Sequence, residues 1–240
     1  MTLAIPSNNT QLQTQHAEQS QTIMKQMQST MKTAKPSPVG KRILDVVVCL
    51  ALLPVLVPVI AMVSLAIMLD SPGPMLFKQK RIGKDGKPFT IYKFRTMYHK
   101  FDDSAHREYM KKYIGGGVKQ SNGSFKPPIE NQITRIGRIL RATSLDELPQ
   151  IINVLRGEMS IVGPRPNVDW EVQAYEGWHR KRLAVKPGIT GLAQVSGRSA
   201  ISFDQLVRYD IEYVNKQSLM LDIQIMVQTV TEVLKRSGAG

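Results

Sequence analysis

The 240-residue chain contains one cysteine, Cys49. An internal disulfide is therefore excluded, and the apolar run around Cys49 points to a buried, inert thiol. No cysteine or histidine cluster has zinc spacing, and the four histidines, His16, His99, His106 and His179, are scattered. A Walker loop, a dinucleotide fingerprint and a nucleophile elbow are all missing. Acidic residues are scarce: 19 Asp and Glu face 32 Lys and Arg, a formal charge of +13. That imbalance calls for an anionic partner, namely nucleic acid, anionic lipid or a phosphorylated substrate. Charge of either sign is absent from Val46 to Leu69, 24 residues, where about 20 apolar residues suffice to span a bilayer. The length suits one domain plus a membrane segment.

Residues 1–38 are rich in Gln, Ser and Thr and poor in aromatics, which predicts a mobile tail. Met24, Met27 and Met31 also fall at helical spacing near Lys25, Lys32 and Lys35, the pattern of a weak interfacial helix. The tail lacks the apolar core and small-residue cleavage site of a signal peptide. In the apolar run, Pro54 and Pro58 each remove a helix hydrogen bond, at a cost of about 3 kcal/mol. A kinked spanning helix is one outcome. Flanking charge favours another. Lys25, Lys32, Lys35, Lys41 and Arg42 precede the run, and Lys78, Lys80, Arg81, Lys84 and Lys87 follow it, so both ends prefer the cytoplasm. A helix–break–helix that enters and leaves by one face satisfies both ends. Asp70-Ser71-Pro72-Gly73-Pro74 then reads as a turn.

The richest stretch is Thr143–Pro166, TSLDELPQIINVLRGEMSIVGPRP. Adjacent carboxylates Asp146 and Glu147 lie among Arg135, Arg138, Arg141, Arg156 and Arg165. Ile151, Ile152, Val154 and Leu155 follow at helical spacing, which puts the acids near a helix N-terminus. Either Ser144 is the N-cap with Glu147 completing a capping box, or Asp146 is the N-cap with Pro149 at the third helical position. The second register suits the proline. Acids here serve as plain caps or as chemistry. A helix N-terminus keeps a carboxylate ionised and favours anions. A carboxylate pair can hold a divalent cation while one member attacks phosphorus. Gly163-Pro164-Arg165-Pro166 fixes the backbone so that a guanidinium can meet phosphate.

Ser144–Gln150 (SLDELPQ) and Gly157–Pro166 (GEMSIVGPRP) closely resemble the bacterial sugar transferase family, the monotopic polyprenyl-phosphate phosphoglycosyl transferases. The resemblance runs from about Lys41 to Ser237. It implies an α+β, mainly helical fold: a re-entrant membrane helix at 39–72, a small cytoplasmic catalytic domain at 73–240 and interfacial amphipathic helices. Pro58 aligns with the family's membrane break, although Val57 replaces the usual serine and Pro54 is additional. The resemblance further implies Asp146 and Glu147 as catalytic residues, with Asp146 also the metal site and Mg2+ the cofactor. Implied substrate contacts are Arg141, Pro164, Arg165, Pro166 and Arg198, with Lys93 and Arg95 from the Lys93–Met97 motif (KFRTM). The same cations also fit a basic surface against anionic lipid.

Elsewhere, Met75–Gln79 and Phe89–Phe94 read as strands joined by a turn at Lys84–Lys87. Asp102–Ile114 reads as a polar helix ended by Gly115–Gly117, Gln120–Pro128 as a loop, and Ile133–Ala142 as a short basic helix. Trp170–Leu183 reads as one helix carrying Trp170, Tyr175 and Trp178. Val185–Arg198 matches a second family signature, with a plain glycine hairpin as the alternative. Phe203–Asn215 and Leu219–Lys235 read as helices, the latter with a broad apolar face that packs on the core or lies in the interface.

The expected activity is transfer of a sugar-1-phosphate from a nucleoside diphosphate sugar, UDP-sugar being commonest in the family, to polyprenyl phosphate through an aspartyl-phosphosugar intermediate. That would be the first membrane step of surface glycan or exopolysaccharide synthesis, at the cytoplasmic face of the bacterial inner membrane. Expected partners are the nucleotide-sugar donor, the polyprenyl (undecaprenyl) phosphate acceptor and membrane lipid, with no nucleic acid; a homo-oligomer is left open. The rival is a non-catalytic, membrane-anchored basic module binding anionic lipid or nucleic acid. It has no use for adjacent acids among the arginines.

Overall fold

In the computed structural model, residues 38–98, 104–120, 125, 132–197 and 200–234 are described. The expectations for the tail and for most of the Gln120–Pro128 loop fall outside them. The fold is mainly helical with two small sheets.

Helix α1, Pro38–Asp70, carries Pro54 and Pro58 inside it without losing its helical assignment, so the expected interruption is not seen as a gap. At about 1.5 Å per residue its 33 residues reach about 50 Å. It is long and apolar enough to cross a membrane, with mean hydropathy 3.0 over its best 18-residue window. Val47, Leu50, Leu52, Val55, Val57, Met62, Leu65 and Leu69 are exposed along it. The opposite stripe, Cys49, Leu56, Ile60, Val63 and Ile67, packs on the domain.

Both ends of α1 are fastened to that domain. At the start, Lys41 pairs with Asp222 at 2.7 Å and donates to the Tyr213 hydroxyl. With side chains 12% and 1% exposed, breaking this pair would cost about 3–5 kcal/mol. Arg42 donates to the Val154 and Leu155 carbonyls, and Asp45 accepts from the Ser160 hydroxyl and the Ile161 amide. At the far end, buried Arg95 donates to the carbonyls of Ser71 (2.6 Å) and Pro72 (2.7 Å) and to the Ser71 hydroxyl. Asp70 accepts from the Ile136 amide.

Strands β1 (Leu76–Ile82) and β2 (Pro88–Phe94) form an antiparallel hairpin in the register Leu76↔Phe94 to Ile82↔Pro88. Its tight turn places Asp85 and Gly86 at positive φ. Helix α2 spans Ser104–Ile114. Helix α3 spans Arg135–Thr143, with the Thr134 hydroxyl accepting from the Gly137 amide as its N-cap. A 3-10 turn, Leu145–Gln150, runs directly into α4, Ile151–Arg156.

One expectation changes in the C-terminal half: Trp170–Leu183 is not one helix. Helix α5 covers only Asp169–Gln173, and a separate 3-10 turn covers His179–Ala184. The Nδ1 of buried His179 accepts from the Glu176 amide, closing the chain between the two pieces. The alternative reading of Val185–Arg198 as a plain glycine hairpin is set aside. Strand β4 (Gly188–Thr190) pairs in parallel with β3 (Ser160–Val162), and helix α6 (Leu192–Ser196) follows. Parallel pairing joins segments far apart in sequence, which local turn signals do not reveal. Helix α7 (Phe203–Lys216) is N-capped by Ser202. Helix α8 (Leu219–Leu234) buries Leu221 and Ile225 but exposes Met220, Ile223, Val227, Val230 and Leu234 as one helical stripe.

Candidate active site

The backbone that presents the two acids is not the cap expected from sequence. Ser144 ends α3 in the left-handed conformation, φ 57°, and its side chain makes no capping bond. Asp146 and Glu147 sit in the first turn of the 3-10 segment that follows. Neither carboxylate is consumed in closing a helix end, so both remain available for chemistry.

The two have different surroundings. Glu147 accepts from Lys93 at 2.6 Å and from Arg165 at 2.9 Å, both at Oε1. Burial works against its charged form, but the ammonium and guanidinium outweigh it and hold the carboxyl well below the usual carboxylate range. Asp146 accepts no hydrogen bond from the described residues. Burial pushes its carboxyl upward and Glu147 adds to that, while Lys93, Arg165 and Arg141 act in the opposite sense. Two adjacent carboxyls driven apart in this way suit two different roles. Glu147 is a fixed anchor for cations. Asp146 is a poorly solvated carboxylate whose lone pairs are unshared among the described residues.

The cations come from distant segments. Lys93 projects from β2, and burial lowers its pKa despite the Glu147 charge. Arg141, from the last turn of α3, donates through Nε to the Thr96 hydroxyl at 3.0 Å, and burial lowers its pKa. Arg165 reaches in from the loop after β3 with its side chain 49% exposed, and the Glu147 charge raises its pKa.

That loop is held with unusual completeness. The Pro164 carbonyl accepts from the Gly188 amide at 3.0 Å. The Arg165 carbonyl accepts from Arg182 at 3.0 Å, and the Pro166 carbonyl from Arg81 at 3.1 Å. The Asn167 carbonyl accepts from the Ile82 amide at 2.8 Å. Four consecutive carbonyls thus have four donors from three segments, β1, β4 and the 3-10 turn at His179–Ala184. Gly163 and Gly188 permit the approach: a Cβ on Gly188 would lie 2.1 Å from the Gly163 nitrogen. Pro164 and Pro166 are buried while Arg165 between them is exposed. The prolines therefore scaffold the arm, and the guanidinium is the part offered outward.

Of the residues named from sequence, Asp146, Glu147, Lys93, Arg141, Arg165, Pro164 and Pro166 form one neighbourhood. Arg95 does not join them in contact with solvent. It is 6% exposed and its donors go to main-chain carbonyls at the end of α1, so its bonding is that of a clamp and not of a substrate arm. Pro58 lies within α1, and Arg198 is outside the described residues. Sequence reasoning missed Arg182, which stands in the charged run HRKR and looks no different from its neighbours Arg180 and Lys181.

Asp146 and Glu147 are the residues that could hold a divalent cation here. Among the described residues no group of three or more His, Cys, Asp or Glu converges, so an all-protein cage is absent. Magnesium typically keeps water and takes one or two carboxylates plus substrate phosphates. Unshared Asp146 beside anchored Glu147 meets that lesser requirement.

A family model described as bacterial sugar transferase matches residues 36–236. The chain is 41% identical over 207 residues to the UDP-glucose:undecaprenyl-phosphate glucose-1-phosphate transferase of Caulobacter vibrioides, covering 83% of this chain and 71% of that protein. It is 42% identical over 168 residues to the galactosyl transferase CpsE of Streptococcus agalactiae, covering 70% of this chain but only 36% of that longer protein. It is 35% identical over 201 residues to the exopolysaccharide production protein ExoY of Sinorhizobium fredii, covering 84% and 88%.

Proposed function

The chain belongs to the bacterial sugar transferase family and is a transferase, and from that premise we propose that it moves a sugar-1-phosphate from a UDP-sugar to undecaprenyl phosphate at a membrane surface. The observation that carries this reading is the contrast at the acid pair: Glu147 is bonded to two cations, while Asp146 beside them accepts no hydrogen bond from the described residues. The name of the Caulobacter vibrioides relative supplies the donor and acceptor classes.

The proposed course has two displacements. An Asp146 oxygen attacks the β-phosphorus, and the bond from that phosphorus to the bridging oxygen breaks. Uridine monophosphate leaves with the electron pair, and the sugar phosphate stays on the aspartyl oxygen. A lipid phosphate oxygen then attacks the same phosphorus and frees the carboxylate. Attack by an anion on a dianion requires the repulsion to be cancelled. Arg165 and Arg141 face the diphosphate, and Lys93 is held near both acids through Glu147. Asp146, with the diphosphate oxygens, would hold Mg2+, which would supply further charge neutralisation. The expected result of excess EDTA is loss of turnover, restored by added magnesium; persistence of turnover would remove the metal.

The fastening of α1 supports a re-entrant topology. Both of its ends bond to one folded domain, so a straight crossing would separate partners that the structure joins. A helix that enters and leaves the cytoplasmic face keeps them together, with its exposed stripe in lipid. The apolar stripe of α8 continues this surface, because its first turn is tied to α1 through Lys41 and Asp222. The division proposed is a tail at 1–38, a re-entrant helix at 39–72 and a cytoplasmic domain at 73–240. Ser20→Cys and Asp85→Cys are expected to react with impermeant label from the cytoplasmic side alone. Labelling of the former only from the opposite side would overturn re-entrance.

The activity itself is tested by incubating membranes with UDP-sugars and undecaprenyl phosphate. Release of uridine monophosphate is expected. Release of uridine diphosphate would mean transfer of sugar without its phosphate, and no release would favour a non-catalytic basic module.

A further inference from the structure

The proposed chemistry leaves a buried charge pair unexplained. Arg182 and Asp210 are 2% exposed, deep under the loop that carries Arg165, and their closest nitrogen–oxygen approach is 2.5 Å. A salt bridge this deep is weak grounds for stability, since desolvating both charges offsets much of their attraction. What it does offer is direction. A guanidinium is a rigid planar fork whose several donors fix the groups around it.

Both terminal nitrogens of the Arg182 fork are engaged. Nη1 donates to the Asn167 side chain at 2.8 Å and to the Tyr175 hydroxyl at 2.7 Å. Nη2 donates to the Arg165 carbonyl at 3.0 Å and faces Asp210. The far side of Asn167 is fixed in turn: its amide donates to Glu171 at 2.6 Å, and Glu171 also accepts from the Val168 amide. Asp210 comes from α7, Tyr175 from the chain after α5, and Arg182 from the 3-10 turn beyond it. The broken helix at Trp170–Leu183 is what turns Arg182 inward.

We infer that Arg182, held by Asp210, is a positioning residue for Arg165: it grips the Arg165 main chain so that the exposed guanidinium points at the acid pair and at a bound diphosphate. The inference rests on the proposed role of Arg165 as a diphosphate arm. It adds that this arm is aimed from beneath by a second arginine that touches neither substrate nor the reacting atoms. A geometry error of about 1 Å at a charge-stabilising group costs on the order of 10²-fold in rate.

A double-mutant cycle on the full chain in lipid nanodiscs tests this. Arg182→Lys keeps a positive charge beside Asp210 but lacks the fork. In the Arg165 background it is expected to lower kcat/KM for uridine monophosphate release from UDP-glucose about 10²-fold. In an Arg165→Ala background the same change is expected to cost less than about threefold, because the group it aims is gone. Equal penalties in both backgrounds would mean a general structural role and would overturn the inference. If Arg182→Lys does not fold, judged by circular dichroism and elution volume, Asp210→Asn takes its place in the same cycle. The cycle is repeated as the Kd for inorganic pyrophosphate, an anion that Arg165 meets whichever nucleotide is used. Pyrophosphate binding that depends on Arg165, without monophosphate release, sinks the nucleotide-sugar reading while the coupling is still measured. No Arg165-dependent binding or release at all overturns both.

Discussion

Asp146→Asn is expected to lower sugar-phosphate transfer by at least about 10⁴-fold, the scale on which removal of a covalent nucleophile acts, while membrane association and thermal stability stay unchanged. The substitution is nearly isosteric, and an amide does not attack phosphorus. Little structural penalty follows, because the Asp146 carboxylate accepts no hydrogen bond from the described residues and burial already disfavours its charge. Glu147 and Asp222 would behave differently: both are ion-paired, and neutralising either would leave a cation without its partner. Intact-mass measurement after exposure to donor alone should show a sugar-phosphate adduct on the wild-type chain and none on the variant. An active Asp146→Asn enzyme would end the covalent account.

Gly137→Ala carries the second large effect, and its sign depends on tertiary contact. Gly137 is inside α3, where replacing glycine by alanine ordinarily gains about 1 kcal/mol of helix propensity. Here the added Cβ would lie 2.0 Å from the Thr96 carbonyl oxygen, 2.6 Å from its carbonyl carbon and 2.7 Å from its Cα. All three are backbone atoms, and no side chain can swing away. Thr96 is itself held, since its carbonyl accepts from the Thr134 amide and its hydroxyl from Arg141. The helix must therefore move off the segment that carries Thr96, at a cost of about 3 kcal/mol that exceeds the propensity gain. The expected result is a lower unfolding midpoint in detergent together with reduced transfer, because Arg141 moves with α3. A variant as stable and as active as wild type would show that this packing is looser than the structure has it.

Several features could be read along the chain because their signals are local. The β1–β2 hairpin follows from strand-like runs either side of Lys84–Lys87, and α7 and α8 follow from helical spacing. The apolar run that becomes α1 is evident from composition alone. The acid pair was legible because Asp146 and Glu147 are neighbours in sequence among arginines. Even there the backbone escaped prediction: both cap registers assumed a regular helix start, whereas Ser144 turns left-handed and a 3-10 segment intervenes.

Sequence by itself determined a basic chain with a long apolar segment and an adjacent carboxylate pair among arginines. Tertiary structure alone decided which arginine does what. Arg95 clamps the end of α1, Arg165 faces the acids, and Arg182 is drawn under the loop by Asp210. The physical reason is that periodicity records which face of a segment avoids water. A long cation's role is set by whichever carbonyl or carboxylate the fold brings within about 3 Å of it, and those partners lie many residues away.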